Sequence, residues 1–179
     1  MNRIEPAPSA PKTASHARAR GPLFASAIFV REALMRLRLW CLRHIAKMDI
    51  DPDARISLRA NLDFTNPRGV HIGGGTYIAF YAVILAHDMS RALHTDTYIG
   101  KNCFIGAQSI IMPGVRVGDE CIVASGAVVT KDVPPHSIVA GNPAQVVRSG
   151  IRTVKWGILA EAYEAAAAAT GTSAKASLD

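Results

Sequence analysis

The chain has 179 residues, of which 49% are hydrophobic, 19% charged and only 6% aromatic. That supports one domain with an aliphatic core and excludes bulk disorder; no apolar run approaches the roughly 18 residues of a membrane span. The net charge of +6 is concentrated early: residues 1–60 hold eleven of the 20 Lys/Arg and five of the 14 Asp/Glu, leaving nine of each beyond. The main body is thus balanced and lacks the basic stripe of a nucleic-acid-binding domain.

Residues 1–20 are rich in Ala, Pro, Ser and Arg without periodicity, and are expected to form a disordered tail. The apolar stretch Leu23–Val30 is followed by Arg31 and by no small-residue cleavage site, so it does not read as a secretory signal. Three cysteines are too few for a disulfide scaffold. A cytoplasmic, reducing location is expected.

Within residues 21–49, Leu23–Met48 is expected to be a helix, because Phe24, Ile28, Met35, Leu39, Leu42 and Ala46 recur mostly at steps of three or four. Arg31, Arg36, Arg38, Arg43 and Lys47 are spread through it. Two placements stay open: peripheral contact with an anionic membrane face, or packing on the main domain or a neighbouring subunit.

Residues 50–150 carry an internal repeat. Aliphatic residues fall every six positions at Ile72, Ile78 and Ile84, then at Ile99, Ile105, Ile111, Val117, Val123 and Val129. A small residue often follows, as at Gly73, Ala79, Gly100, Gly106, Gly118 and Ala124. Period six fits neither an α-helix nor a sandwich with variable turns. It fits an all-β solenoid of short strands joined by tight corners. With three sides per coil, residues 18 apart should stack at strand spacing, about 4.8 Å. Ile99 would then lie on Val117, Ile105 on Val123 and Ile111 on Val129. Cys103 and Cys121 would also stack, within disulfide range, and are expected to be reduced core residues rather than a disulfide in a chain without secretory features. Ile56 and Leu62 mark an earlier, less regular start.

The repeat is interrupted between Ile84 and Ile99, which puts nine extra residues outside the coil. Loops on rigid scaffolds are common seats of function, and this one (87–96) is polar, with His87 at its root. Beyond the repeat, residues 151–170 are expected to be a helix with Trp156, Leu159 and Tyr163 packing down. The alanines at 165–169 favour helix, and residues 171–179 are expected to fray. Helices at both ends would cover exposed ladder edges.

The hexads, with Val129–Pro134 (Val-Thr-Lys-Asp-Val-Pro) and Ala140–Ala144 (Ala-Gly-Asn-Pro-Ala), resemble the hexapeptide-repeat acyltransferases, and within them the maltose, galactoside and sugar O-acetyltransferase branch. The resemblance spans roughly residues 50–150. It implies a left-handed parallel β-helix with flanking helices, a homotrimer with active sites between subunits, and acetyl-CoA as co-substrate without a metal. It places His87 at the family's catalytic histidine. A neutral imidazole there can take the proton of an attacking hydroxyl. It places Asn61 at an acceptor-binding asparagine, with Asn66 a competitor for that role. Asp88, Arg91 and His94 are further candidates for contacting a polyhydroxylated acceptor. Gly106, Ala107 and Ser125 match small corner residues along coenzyme A. Thr130, Lys131 and Arg148 match residues near its phosphates, where cations suit anions; Gln145 stands where some relatives carry another arginine.

The implied activity is acetyl transfer to a saccharide hydroxyl, of a polysaccharide or lipopolysaccharide precursor. Two alternatives stay open. One is a non-catalytic β-helix scaffold. The other is a zinc enzyme of the γ-carbonic-anhydrase type, with His71, His87 and His94 as ligands.

Overall fold

Each hexad forms one side of a coil because its first residue points inward and its next four turn the corner. The computed structural model describes residues 22–170. The expectations for residues 1–20 and 171–179, and for the Phe24 side chain, fall outside them. The first coil is β1 (Asp49–Ile50), β2 (Arg55–Ile56) and β3 (Asn61–Leu62). The second is β4 (Val70–Ile72), β5 (Tyr77–Ile78) and β6 (Val83–Ile84). An excursion follows, carrying the hairpin β7 (His87–Asp88) and β8 (Leu93–His94). The third coil is β9 (Thr97–Ile99), β10 (Phe104–Ile105) and β11 (Ile110–Ile111). The fourth is β12 (Arg116–Val117), β13 (Ile122–Val123) and β14 (Val128–Val129).

Corresponding strands of successive coils pair in parallel, giving three sides: β1-β4-β9-β12, β2-β5-β10-β13 and β3-β6-β11-β14. Ile99 pairs with Val117, Ile105 with Val123 and Ile111 with Val129, at the expected offset of 18. The second side is extended by β15 (Ser137–Gly141) and by the antiparallel β16 (Ala144–Ser149).

The core is the column of hexad aliphatics; Ile78, Ile84, Ile105, Ile111 and Val123 are wholly buried. Small residues four places after each aliphatic fill the space beside it: Thr76, Ala82, Cys103, Ser109, Cys121 and Ala127 are all inaccessible. The buried hydroxyls are satisfied, Thr76 Oγ1 donating to Gly100 O at 2.7 Å and Ser109 Oγ to Gly106 O at 2.7 Å. Cys103 and Cys121 are free thiols stacked on adjacent coils, with Cys121 N–H donating to Cys103 Sγ at 3.5 Å. The third residue after each aliphatic takes positive φ at Gly75, Tyr81, Asn102, Gln108, Gly114, Glu120 and Gly126, between 51° and 86°. This is the third position of a type II turn.

The helix α1 is Pro22–His44, four residues shorter at its end than expected. Lys47, at φ 61°, turns the chain into β1, and Met48 N–H closes on Leu42 O at 3.0 Å. Met35 and Leu42 are its buried contacts, and Ile28 is exposed. Arg38 clamps the helix to the first coil by donating to Ser57 O and to Ala60 O at 2.6 Å.

At the other end, the expected helix over 151–170 is corrected. Only α2 (Ala160–Thr170) is α-helical, preceded by the antiparallel hairpin β17 (Thr153–Val154) and β18 (Ile158–Leu159), with a short 3-10 turn at Lys155–Gly157 between its strands. Trp156 and Gly157 both have positive φ, 65° and 67°, which breaks a helix. A Cβ on Gly157 would lie 2.4 Å from Phe104 N, so only glycine lets the hairpin seat on the third coil. Thr153 secures it through its Oγ1 to Asn102 O at 2.7 Å and its N–H to Glu120 at 2.8 Å.

Candidate active site

The corner between the third and first sides is where the chain twice leaves the coil. In the second coil, the excursion 87–96 separates β6 from β9. In the first, Asp63–Gly69 separates β3 from β4. The two departures stack because β3 and β6 are in register, Leu62 opposite Ile84. Asp63 therefore lies beneath Ala86 and His87.

Asp63 is buried yet fully occupied as an acceptor. Its Oδ2 takes the Ala86 N–H at 2.8 Å and the His87 Nδ1–H; its Oδ1 takes the Thr65 N–H at 2.8 Å and the Asn66 N–H at 3.3 Å. Burial alone would raise its carboxyl pKa. The hydrogen bonds from Ala86, His87, Thr65 and Asn66 outweigh that and lower it to about 2. An ionised carboxylate only accepts, so His87 donates to it from Nδ1, and Nε2 is the ring nitrogen left to face a substrate. The His87 side chain is 19% exposed and that of Asp63 2%. The carboxylate thus holds the ring from inside while the ring meets solvent.

Asn66 closes the neck of the loop. Its Nδ2 donates to Ala86 O at 2.9 Å and to Thr95 O at 3.1 Å, and Thr95 N–H returns to Ala86 O at 2.9 Å. Gly69 makes room, since a Cβ there would lie 2.4 Å from Asn66 Nδ2. Within the loop, Asp88 accepts from Ser90 Oγ at 2.6 Å and Arg91 Nε at 2.6 Å. Those bonds lower its carboxyl to about 2 and fix the turn Met89–Arg91. His94 pairs across the hairpin with His87, ring centroids 6.2 Å apart.

The other expected site residues are dispersed. Asn61 is exposed on β3, in backbone register with Val83. Gly106, Ala107 and Ser125 come together at the corner between the second and third sides. A Cβ on Gly106 would lie 2.5 Å from Ser125 N, and Gly126 N–H donates to Ala107 O at 2.9 Å. Thr130 and Lys131 follow β14, both exposed, at the corner His87 occupies two coils earlier. Arg148 lies on β16 and pairs with Glu161 at 3.0 Å.

The three zinc candidates do not converge. His71 lies on the outer face of the first side, bonded to Asp49 at 2.9 Å and stacked on Tyr98 at 4.3 Å. Among the described residues no three His, Cys, Asp or Glu side chains form a metal-binding group. Sequence reasoning missed Asp63 and the neck-closing role of Asn66. The signal was the step from Leu62 to Ile72, ten rather than six, a second break that stacks under the first.

Residues 97–131 match the family described as the hexapeptide repeat of succinyl-transferase. A Bacillus subtilis protein named as an acetyltransferase, YvoF, is 31% identical over 115 residues, covering 62% of this chain and 66% of that protein. A chloramphenicol acetyltransferase of Agrobacterium fabrum is 53% identical over 53 residues, 30% of this chain and 25% of the relative. The chain therefore spans just under two thirds of the first relative and a quarter of the second. Among solved structures, the maltose O-acetyltransferase of Clostridium difficile 630 superposes with a TM-score of 0.49 at 21% identity, over 72% of this chain and 89% of that one. Residues 97–131 thus carry the hexapeptide repeat of that family, and the chain is similar to acetyltransferases built on it.

Proposed function

We propose that the chain transfers an acetyl group from acetyl-CoA to a saccharide hydroxyl, with His87 as general base. The observation that carries this reading is the buried Asp63 carboxylate holding His87 at the neck of a polar loop. A scaffold has no use for a buried carboxylate aimed at a partly exposed imidazole.

The chemistry follows from the tautomer. Nε2 of His87 takes the hydroxyl proton as the oxygen attacks the thioester carbonyl. Asp63 stabilises the imidazolium that forms, as an acid partner does in other histidine-based sites. The tetrahedral adduct collapses with cleavage of the C–S bond, and the imidazolium returns its proton to the departing thiolate. Atoms and charge balance with no further reactant.

Donor binding is assigned to the corner of Gly106, Ala107 and Ser125, where small side chains permit close approach of the pantetheine arm. Thr130, Lys131 and Arg148 are assigned to the phosphates. Acceptor contacts are assigned to His94 and to the loop, with Asp88 and Arg91 shaping it; Asn61 is retained as an acceptor residue. His87 and the Gly106 corner stand at opposite ends of the third side, so a groove holding both is completed by a second copy. The reading is accordingly a homotrimer of left-handed coils. Light scattering tests the mass; a monomer that still turns over would refute the shared groove. The activity test is release of free CoA from acetyl-CoA across a panel of saccharides. Acceptor-dependent release lost in His87→Ala supports the proposal, and release equal in both proteins overturns it.

A further inference from the structure

The helix α1 is apolar on two faces. One packs on the coil through Met35 and Leu42. The opposite face carries Val30, Leu34 and Leu37 at helical spacing, and Ile45 just beyond the helix end continues it, each between 47% and 68% exposed, with exposed Phe29 and Trp40 beside them. Phe64, 66% exposed, continues this surface and, with Cys41, Leu42 and Ile45, lines a hollow of about 270 Å³. The face that packs on the coil does not cover these side chains, and contiguous exposed apolar surface marks a docking site.

The charges identify the neighbour. Glu32, the one acidic residue in the α1 sequence, is turned to the coil, where it pairs with Arg55 as well as Arg31. Arg36, which lines the hollow between the helix and the first coil, Arg43, and Lys47 beyond the helix end form no ion pair among the described residues. A second copy of the same face would bring like charges together. An anionic lipid surface complements them, with apolar side chains entering the acyl boundary and cations at the headgroups. No described helix is long and apolar enough to cross a membrane, so the contact is peripheral.

We infer that α1 and Phe64 dock on an anionic membrane, and that the acceptor is a lipid-anchored saccharide. The second part rests on the acetyl-transfer reading and on position. Phe64 follows Asp63 in sequence, so docking brings the Asp63–His87 corner to the lipid surface.

The test is flotation of the full chain with vesicles of phosphatidylcholine alone or mixed with phosphatidylglycerol. Leu34→Gln with Leu37→Gln and Arg36→Gln with Arg43→Gln are the variants; glutamine keeps helix propensity. The expected result is salt-sensitive binding to the anionic vesicles only, weakened about tenfold or more in either double variant at unchanged melting temperature. Absence of binding, or equal binding by the variants, overturns the inference. So does a fall in oligomer mass for Leu34→Gln with Leu37→Gln while vesicle binding persists, which would make the face a contact between copies. Vesicle binding without acceptor-dependent CoA release would overturn the acetyl-transfer reading and leave the docking standing. Faster transfer to lipid-anchored than to soluble saccharide, lost in the variants, supports both.

Discussion

The carboxylate of Asp63 and the imidazole of His87, 24 residues apart in sequence, are hydrogen-bonded across two successive coils of the β-solenoid. Asp63 leaves the third side one residue after Leu62, and His87 leaves it three residues after Ile84, so the register puts them at the same corner of adjacent coils, where the side chains meet. Asp63 sets which nitrogen of His87 is basic. His87→Ala should lower turnover roughly 100- to 10,000-fold, with acetyl-CoA affinity unchanged. Asp63→Asn should also lower turnover, because an amide no longer stabilises the imidazolium. Steady-state kinetics on both variants check this, and a wild-type rate in either would contradict it.

Acid stability should carry the signature of Asp63. Its folded pKa, about 2, lies below the ordinary carboxyl value. As pH falls below about 4 the unfolded chain takes up the proton first, so the stabilisation is lost progressively down to about pH 2. It is fully present above that window. Asp88, held low by Ser90 and Arg91, titrates in the same range. Melting curves from pH 6 to pH 2 on wild type, Asp63→Asn, Asp88→Asn and the double variant separate the two. The wild type should lose more stability across the window than Asp63→Asn does.

The loop neck should open when Asn66 is shortened. Asn66→Ala removes the donors to Ala86 O and Thr95 O, costing about 1–3 kcal/mol if a carbonyl is left unpaired. Hydrogen exchange should quicken at Thr95 while the coil amides of Ile105 and Ile111 stay protected. Gly69→Ala should do the same, because its new methyl meets Asn66 and Thr95.

The proposed donor corner can be probed without unfolding the coil. A Cβ on Gly106 would meet the backbone of Val123 and Ser125 at 2.6 and 2.5 Å. Gly106→Ala should therefore cost about 1–3 kcal/mol by overpacking. Ser125 is exposed at the same corner. Ser125→Phe should leave the melting temperature in place and weaken acetyl-CoA binding about tenfold or more by blocking close approach. Equal binding by the variant would move the donor site elsewhere.

Much of the fold was legible because one rule, an inward aliphatic every six residues, repeats from Ile72 to Val129. The column Ile99–Val117 and the nine-residue excursion followed from counting alone. Trp156 and Gly157 were not legible as a hairpin: the helix-favouring alanine run after Tyr163 drew the expectation backward across them. The deciding fact, the approach of Gly157 to Phe104, is long-range. Asp63 was hidden because the first coil is irregular, and its meaning depends on which residue lies above it. The outer face of α1 was obscured by basic residues scattered through the helix. Only the packing of Met35 and Leu42 shows which side is left over.

Calorimetric titration of the full chain with acetyl-CoA, beside His87→Ala, tests the central claim most directly. It needs no knowledge of the acceptor. Saturable binding, equimolar with the chain and retained in the variant, is the predicted result. Absence of binding up to millimolar concentrations in both proteins would contradict the assignment of this chain as an acetyl-CoA-dependent transferase.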